Sequence, residues 1–223
     1  NGLGLLNAED LQTATSMTID GGPIGTLNRD AVKLIRMEFS GNKDLQASVA
    51  RQLGNPNGET RMQAILAYDW TNPEITSMRD FAAQNIDDIW LQRALLMAAP
   101  NRAADLASAV VYHSRKDAAT AATRTDFLRQ LALNVAVRGD VEQLKTLAAV
   151  VGESPESGLW WQTAIVIGLA DGLPRCQNAE IPKSLAAFLQ TPPAALKDSV
   201  SPIEKVVKLA SETAVNKSLS DVD

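Results

Sequence analysis

The sequence is poor in the residues that build covalent and metal-bound sites. Its 223 residues include one cysteine, Cys176, and one histidine, His113. A single cysteine excludes a disulfide within the chain and any multi-cysteine zinc or iron–sulfur site. A single histidine excludes motifs that need two imidazole ligands. We therefore predict no metal ion, no cofactor and no catalytic residues.

Aromatic residues, excess positive charge and long apolar runs are also lacking. Aromatics make up 4% of the chain, whereas hydrophobic residues rich in Ala, Leu and Val make up 45%, which favours helices. The net charge of −5 offers no basic face for phosphates, so we predict no nucleic-acid partner. No apolar run approaches the roughly 18 residues of a membrane-spanning helix, which predicts no membrane insertion by this segment. The start, Asn-Gly-Leu-Gly, resembles neither an initiator methionine nor a signal sequence and suggests a piece of a longer protein.

Apolar residues recur at helical spacing through the middle of the chain. Asp87–Ala99 and the segment after Pro100-Asn101 each carry one apolar stripe, and the short connection predicts an antiparallel helix pair. A second pair is predicted on either side of Gly139, where Asp140 caps the next helix with Gln143 three residues on, a capping-box spacing. A third begins at Leu159-Trp160-Trp161 and resumes after the 172–182 loop.

The first helices of these pairs resemble one another. Trp90, Phe127 and Trp160 occupy matched places at spacings of 37 and 33 residues, and Thr60 begins a weaker copy 30 residues before Trp90. Periods in this range are typical of α-solenoid repeats, whose units bury their apolar faces by stacking. We predict an all-α protein, an α-α superhelix of about five antiparallel helix pairs. Residues 1–27 form an irregular lead-in, residues 28–219 the solenoid and residues 220–223 a frayed tail.

The aromatic and charged clusters have plain structural explanations. Large aromatics at matched repeat positions are expected to wedge between pairs in the core. Trp160 and Trp161 are consecutive and cannot both face inward fully, so they are candidates for an interaction surface. Asp87-Asp88 is expected to cap a helix rather than to act as a catalytic carboxylate pair.

A small basic cluster is the other candidate for the interaction surface. Arg115, Lys116 and Arg124 follow the second helix of the first pair, either as a solvated connection or as a docking patch. The glycine-rich run Gly21–Gly25 is expected to form a turn because it lacks the Lys-Ser/Thr of a phosphate loop.

Several runs resemble a known family. Asp87–Leu96, Phe127–Ala132 with Arg138-Gly139-Asp140, and Trp161-Gln162 with Gly168–Leu173 are similar to the HEAT-repeat, armadillo-type segment of large exported planctomycete-type proteins. Such proteins are named as membrane-bound dehydrogenases and place this segment between a β-propeller and a cytochrome c domain. The resemblance covers about residues 44–189 and implies an exported or periplasmic location. The chain has no Cys-x-x-Cys-His and no propeller, so haem chemistry would belong to a parent protein.

These observations predict a non-catalytic scaffold that binds a protein partner or the flanking domains of a longer chain. A small-ligand or enzymatic solenoid is the alternative, since fold does not dictate function, and a nucleic-acid-binding HEAT-like domain is a second one that the acidic charge opposes. A deep pocket that gathers Arg, Asp and Trp from several repeats would indicate the enzymatic alternative, and a flat groove would indicate a scaffold.

Overall fold

A computed structural model describes residues 42–71, 76–114, 121–153 and 159–220. All regular structure in these ranges is helical, which confirms the predicted all-α class. The α-helices of the described part are α1 Lys43–Gln52, α2 Gly58–Ala67, α3 Thr76–Gln84, α4 Ile89–Ala98, α5 Ala103–Ser114, α6 Ala121–Arg138, α7 Val141–Gly152, α8 Leu159–Gly172, α9 Leu185–Gln190 and α10 Ser201–Ser220. Short 3₁₀ turns cover Pro100–Arg102, Leu173–Arg175 and Ala194–Ser199.

Three predicted features fall outside the described ranges. They are the lead-in at residues 1–27 with its predicted Gly21–Gly25 turn, the beginning of the solenoid at residues 28–41, and the end of the tail at residues 221–223. Helix α10 reaches Ser220, the first residue of the predicted tail.

The chain divides into two compact units, Asn1–Ala99 and Pro100–Asp223. The sequence predicted one continuous solenoid and placed no boundary here. The helix pair expected around Pro100-Asn101 spans this division, since α4 belongs to the first unit and α5 to the second. Each unit is therefore described by itself.

In the first unit, α2 packs against both α1 and α4. Its core is made of branched aliphatic side chains from these helices, with the connection before α4 adding Ile86. Fully buried members include Leu45, Val49, Ile65, Leu91 and Leu95. Burying each such side chain stabilises the fold by roughly 1.5–3 kcal/mol before conformational entropy is subtracted.

In the second unit, alternate helices lie against each other. Helix α6 packs on α8, α5 packs on α7 as well as on α6, and α10 packs on both α7 and α8. First helices of successive predicted pairs thus contact each other, and so do second helices. This packing is consistent with a helical solenoid.

Asparagine and aspartate side chains begin four of these helices. The Asp88 carboxylate accepts from the backbone N–H of Trp90 at 2.8 Å, so Asp88, the second residue of the acidic pair, has the expected capping role. Asp140 caps α7 by accepting from the N–H groups of Glu142 and Gln143 at 3.0 and 3.1 Å. Asn42 and Asn57 cap α1 and α2 in the same way.

The capping box predicted at Asp140 and Gln143 is only half present. The Gln143 side chain does not turn back to the start of its own helix, and its oxygen accepts instead from the backbone N–H of Ala104 at 3.3 Å. Because Ala104 lies in the first turn of α5, this bond ties the beginnings of α5 and α7 together.

The contact between α6 and α8 is the most extensive among the described helices, and small residues make it possible. A Cβ atom added at Gly168 would overlap the carbonyl oxygen of Arg129, and one at Gly172 would stand 2.6 Å from that of Leu133. Ala132 and Ala136 face the two glycines across the contact. Two small residues spaced four apart on each helix thus bring the backbones together.

The turn between α6 and α7 is closed by the long loop that follows α8. Gly139 has a φ of +66°, the left-handed conformation that glycine commonly adopts just after a helix. Its carbonyl accepts from the Asn178 amide at 3.0 Å, and the Gln177 N–H donates to the Val137 carbonyl at 2.7 Å. The loop is thereby fixed to the repeat before it.

Candidate functional site

The two consecutive tryptophans lie in different environments. Trp161 is 1% exposed and packs in the core of the second unit, whereas Trp160 is half-buried at its surface. Their rings meet edge to face with centroids 5.7 Å apart. Trp161 therefore does not belong to the predicted interaction surface, because successive helical positions point about 100° apart and one of them must fill the core. Trp160 remains a candidate.

The predicted basic patch also changes. Arg124 is 8% exposed, and its guanidinium donates to the Ser114 hydroxyl at 3.1 Å, so it joins α6 to the end of α5 instead of facing solvent. Arg115 and Lys116 lie outside the described residues. Of the five predicted surface residues, the described part thus places Trp160 alone at the surface.

Trp160 lines an open groove between α6 and α8 with a volume of about 490 Å³. Ile167, two turns further along α8, is 43% exposed and continues its apolar floor. Asp126 and Arg129 line the groove from α6 and place opposite charges beside the apolar floor. The remaining lining residues are small or hydroxylated, namely Ala122, Thr125, Thr163 and Ala164.

The charged side chains of the groove are already engaged. Arg129 donates from Nε and Nη2 to one Asp171 carboxylate oxygen at 2.9 and 2.6 Å, and this ion pair crosses from α6 to α8. The Gln130 amide donates to Asp126 at 2.5 Å. Both ion-pair side chains are more than a third exposed, so water screens the attraction, and such pairs contribute about 0–1 kcal/mol.

A second, smaller groove lies between α7, α8 and α10. Its volume is about 260 Å³, and its walls are mostly apolar, with Lys205 as the charged lining residue. Leu209 at its rim is 43% exposed. The amide of Gln162 forms part of the wall, but it donates to the Val151 carbonyl at 2.7 Å and is therefore engaged.

The first unit exposes an aromatic residue that the sequence assigned to the core. Trp90 is 61% exposed, although its counterpart Phe127 is fully buried. The prediction was wrong because Leu91, not Trp90, fills the core position of α4. Gln92, the residue after Leu91, is also buried, and its side-chain amide donates to the Ile86 carbonyl.

The single thiol is buried and lies against backbone. Cys176 is closed off by the loop after α8, with its Sγ 3.6 Å from the Asn178 carbonyl. The Lys183 ammonium donates to the carbonyls of both Cys176 and Asn178 at 2.7 and 2.8 Å and holds the loop closed. These contacts stabilise a loop and do not assemble a nucleophile with a base.

The described ranges hold neither a metal-binding cluster nor a helix suited to crossing a membrane. No group of three or more His, Cys, Asp or Glu side chains there could hold a metal ion. None of the helices in those ranges combines the length and apolarity that crossing a membrane requires.

Comparison with known proteins assigns no family. No protein-family model matches the sequence, no curated protein is significantly similar to it, and no solved structure matches its fold. The class that can be stated is an all-α protein whose helix packing is consistent with a solenoid.

A weak signal in the sequence indicates that α4 has an exposed apolar surface. Helix α4 has only two polar residues, Gln92 and Arg93, so its apolar residues cover more than the stripe needed for one core face. A helix that is apolar all round is buried on every side or meets a partner. Ile167 gives no comparable signal, because its exposure depends on how α6 and α8 meet.

Proposed function

We propose that this chain is a non-catalytic, HEAT-like helical-repeat scaffold that binds a protein partner. The observation that carries the proposal is the groove between α6 and α8, where the half-buried Trp160 and the exposed Ile167 lie near Asp126 and Arg129. A folded domain has no structural need to leave part of a tryptophan and an isoleucine on the wall of one open groove. Aromatic and aliphatic contacts inside a charged rim are the usual composition of a protein interface.

The packing of the second unit supports the repeat part of the proposal. In a solenoid each helix pair buries its apolar face against the next pair, and the contacts of α6 with α8 and of α5 with α7 are of this kind. The resemblance to planctomycete-type multidomain proteins goes further. It predicts a β-propeller before this segment and a Cys-x-x-Cys-His after it, and the gene sequence on both sides tests that prediction directly.

A small ligand is the alternative occupant of the groove. Its volume of about 490 Å³ lies in the range of small-molecule sites, and Asp126, Arg129 and Trp160 come from two repeats. The groove is open, however, and its arginine is engaged by Asp171. An open groove of this kind favours an extended protein segment over an enclosed substrate.

The test compares two exposed aliphatic positions of the second unit. Ile167 and Leu209 are both 43% exposed, but they line different grooves. Affinity capture with the whole chain, followed by titration of each purified captured protein, should identify a partner whose binding is weakened at least tenfold by Ile167→Asp or Trp160→Ala. Leu209→Asp should leave its affinity within about twofold.

Two results would count against the proposal. One is a set of captured proteins whose affinity is indifferent to both groove substitutions. The other is a small molecule that copurifies with the wild-type chain, is lost in Trp160→Ala, and leaves no protein bound.

A further inference from the structure

The outward face of α4 carries a row of exposed apolar side chains. Ile89 is 49%, Trp90 61% and Met97 75% exposed. Ile89, Arg93 and Met97 are spaced four residues apart and therefore lie along one side of the helix, with Trp90 beside them. We call these four residues the α4 outer face.

The first unit does not use this face for its own core. Leu91, Ala94 and Leu95 of α4 are buried, and α4 packs against α2 of the same unit. Exposing three large apolar side chains in one row is unfavourable in water. Tryptophan, methionine and arginine are also the residues enriched at protein interfaces.

Arg93 gives this face a specific chemistry. Its guanidinium lies 5.2 Å from the centroid of the Trp90 ring, a cation–π contact that holds it within the apolar row. It makes no ion pair with any described residue. A guanidinium stacked on an aromatic ring keeps its in-plane N–H groups directed outward, where they match the two oxygens of a carboxylate.

We propose that the α4 outer face docks an amphipathic helix of another protein, whose apolar stripe covers Ile89, Trp90 and Met97 and whose carboxylate pairs with Arg93. Ile89 and Met97 are about 12 Å apart along the axis at 1.5 Å per residue. Arg93 lies midway, so the Asp or Glu belongs in the middle of the incoming stripe. The inference rests on the proposed binding role but concerns the other unit and a separate surface.

Two other occupants fit the charges less well. In a symmetric pairing of two copies, the face of one α4 would meet the same face of the other, and the two Arg93 side chains near the centre would repel each other. An anionic membrane surface would be repelled by the exposed Asp87 beside the face and by the net charge of −5.

The probe is a displayed library of single alanine-rich helices about four turns long, with the positions of one face randomised. It is selected against the full-length chain. Enriched helices should carry apolar residues on both sides of one fixed Asp or Glu. A synthetic peptide of the enriched sequence should bind at least tenfold more weakly to Trp90→Ala than to the wild type.

Charge reversal makes the test sharper. Arg93→Glu should abolish binding of the acidic peptide. A second peptide, in which lysine replaces the acidic residue, should bind this variant and not the wild type. Arg51→Glu is the matched control, since Arg51 is an exposed arginine of the same unit on α1 and the substitution changes the net charge equally. Circular dichroism checks that every variant is folded.

Four outcomes would overturn the inference. In the first, the selection enriches no helices, and in the second, the enriched helices bind Trp90→Ala as tightly as the wild type. In the third, Arg51→Glu loses as much binding as Arg93→Glu. In the fourth, no peptide binds, and the chain instead self-associates or binds phosphatidylserine vesicles in a way that depends on Trp90. None of them bears on the groove between α6 and α8. Failure here is therefore distinguishable from failure of the proposed function, which the Ile167 and Leu209 variants test.

Discussion

In each unit, a buried glutamine near the start of a helix donates a hydrogen bond from its side-chain amide to a backbone carbonyl. Gln162 donates to the Val151 carbonyl at the end of α7, and Gln92 donates to the Ile86 carbonyl just before α4. Each glutamine is the third residue of a similar run, Trp-Leu-Gln or Trp-Trp-Gln. A buried carbonyl without a donor is unfavourable, so these amides stabilise the junctions between helices.

Gln162→Leu should destabilise the chain by about 1–3 kcal/mol, because the Val151 carbonyl would lose its donor while the side-chain volume stays similar. Gln130→Leu is the control: this exposed glutamine bonds only the exposed Asp126, and its replacement should change stability by less than about 0.5 kcal/mol. Urea titration followed by circular dichroism measures both. Equal effects of the two substitutions would contradict the assigned role of Gln162.

Residue-level predictions from the sequence succeeded where the cause is local. The caps at Asp88 and Asp140 and the left-handed Gly139 depend on a few neighbouring residues, and the sequence is enough to predict them. Trp90 was misassigned because the neighbouring helices decide which edge of an apolar stripe faces the core. The same dependence hid Arg124, whose hydroxyl acceptor lies on another helix.

At the scale of elements, the α6–α8 contact is the most demanding feature of the second unit. Its two glycines and two alanines let the backbones approach so closely that no methyl group fits at Gly168 or Gly172. Helical periodicity predicts which residues of each helix are apolar. It does not predict the distance between the two axes, which depends on both sequences at once.

Gly168→Ala should destabilise the second unit by about 1–3 kcal/mol, although alanine has a better helix propensity than glycine. The added methyl group overlaps the Arg129 carbonyl and must push the two helices apart. Gly58→Ala is the matched control, since the nearest atom to its added Cβ is the flexible Arg61 guanidinium at 3.6 Å. Alanine there should be neutral or stabilising by up to about 1 kcal/mol.

Thermal unfolding followed at 222 nm distinguishes these two expectations. A Gly168→Ala variant as stable as the wild type would show that α6 and α8 can separate without loss. The close approach would then not contribute to the stability of the second unit.

For the whole molecule, the division after Ala99 was not visible in the sequence. The short Pro100-Asn101 connection predicts a tight turn between two helices. A turn between two units has the same composition as a turn within a single unit, so the sequence does not distinguish them. The helical class, in contrast, could be predicted because apolar periodicity recurs through most of the chain. The groove at Trp160 was half predicted: the tryptophan was singled out, but its neighbours from α6 were not.

A fragment of residues 100–223 should fold on its own, since its helices contact one another and form a compact unit. A shorter fragment that begins at Asp140 lacks α5 and α6 and leaves the Gly168 face of α8 uncovered. It should lose most of its helicity and unfold without a cooperative transition. Circular dichroism and urea titration of both fragments check this prediction, and a cooperative shorter fragment would contradict it.

The contrast between Trp161 and Trp90 has a spectroscopic consequence. The Trp161 indole is enclosed, and its N–H has no hydrogen-bond acceptor, whereas the Trp90 indole faces water beside a cation. The first should emit at short wavelength and be shielded from iodide, and the second should emit at long wavelength and be readily quenched. Because the two lie in different units, the intrinsic fluorescence of a variant that keeps only these two of the four tryptophans can follow the core of one unit and the surface of the other in a single experiment.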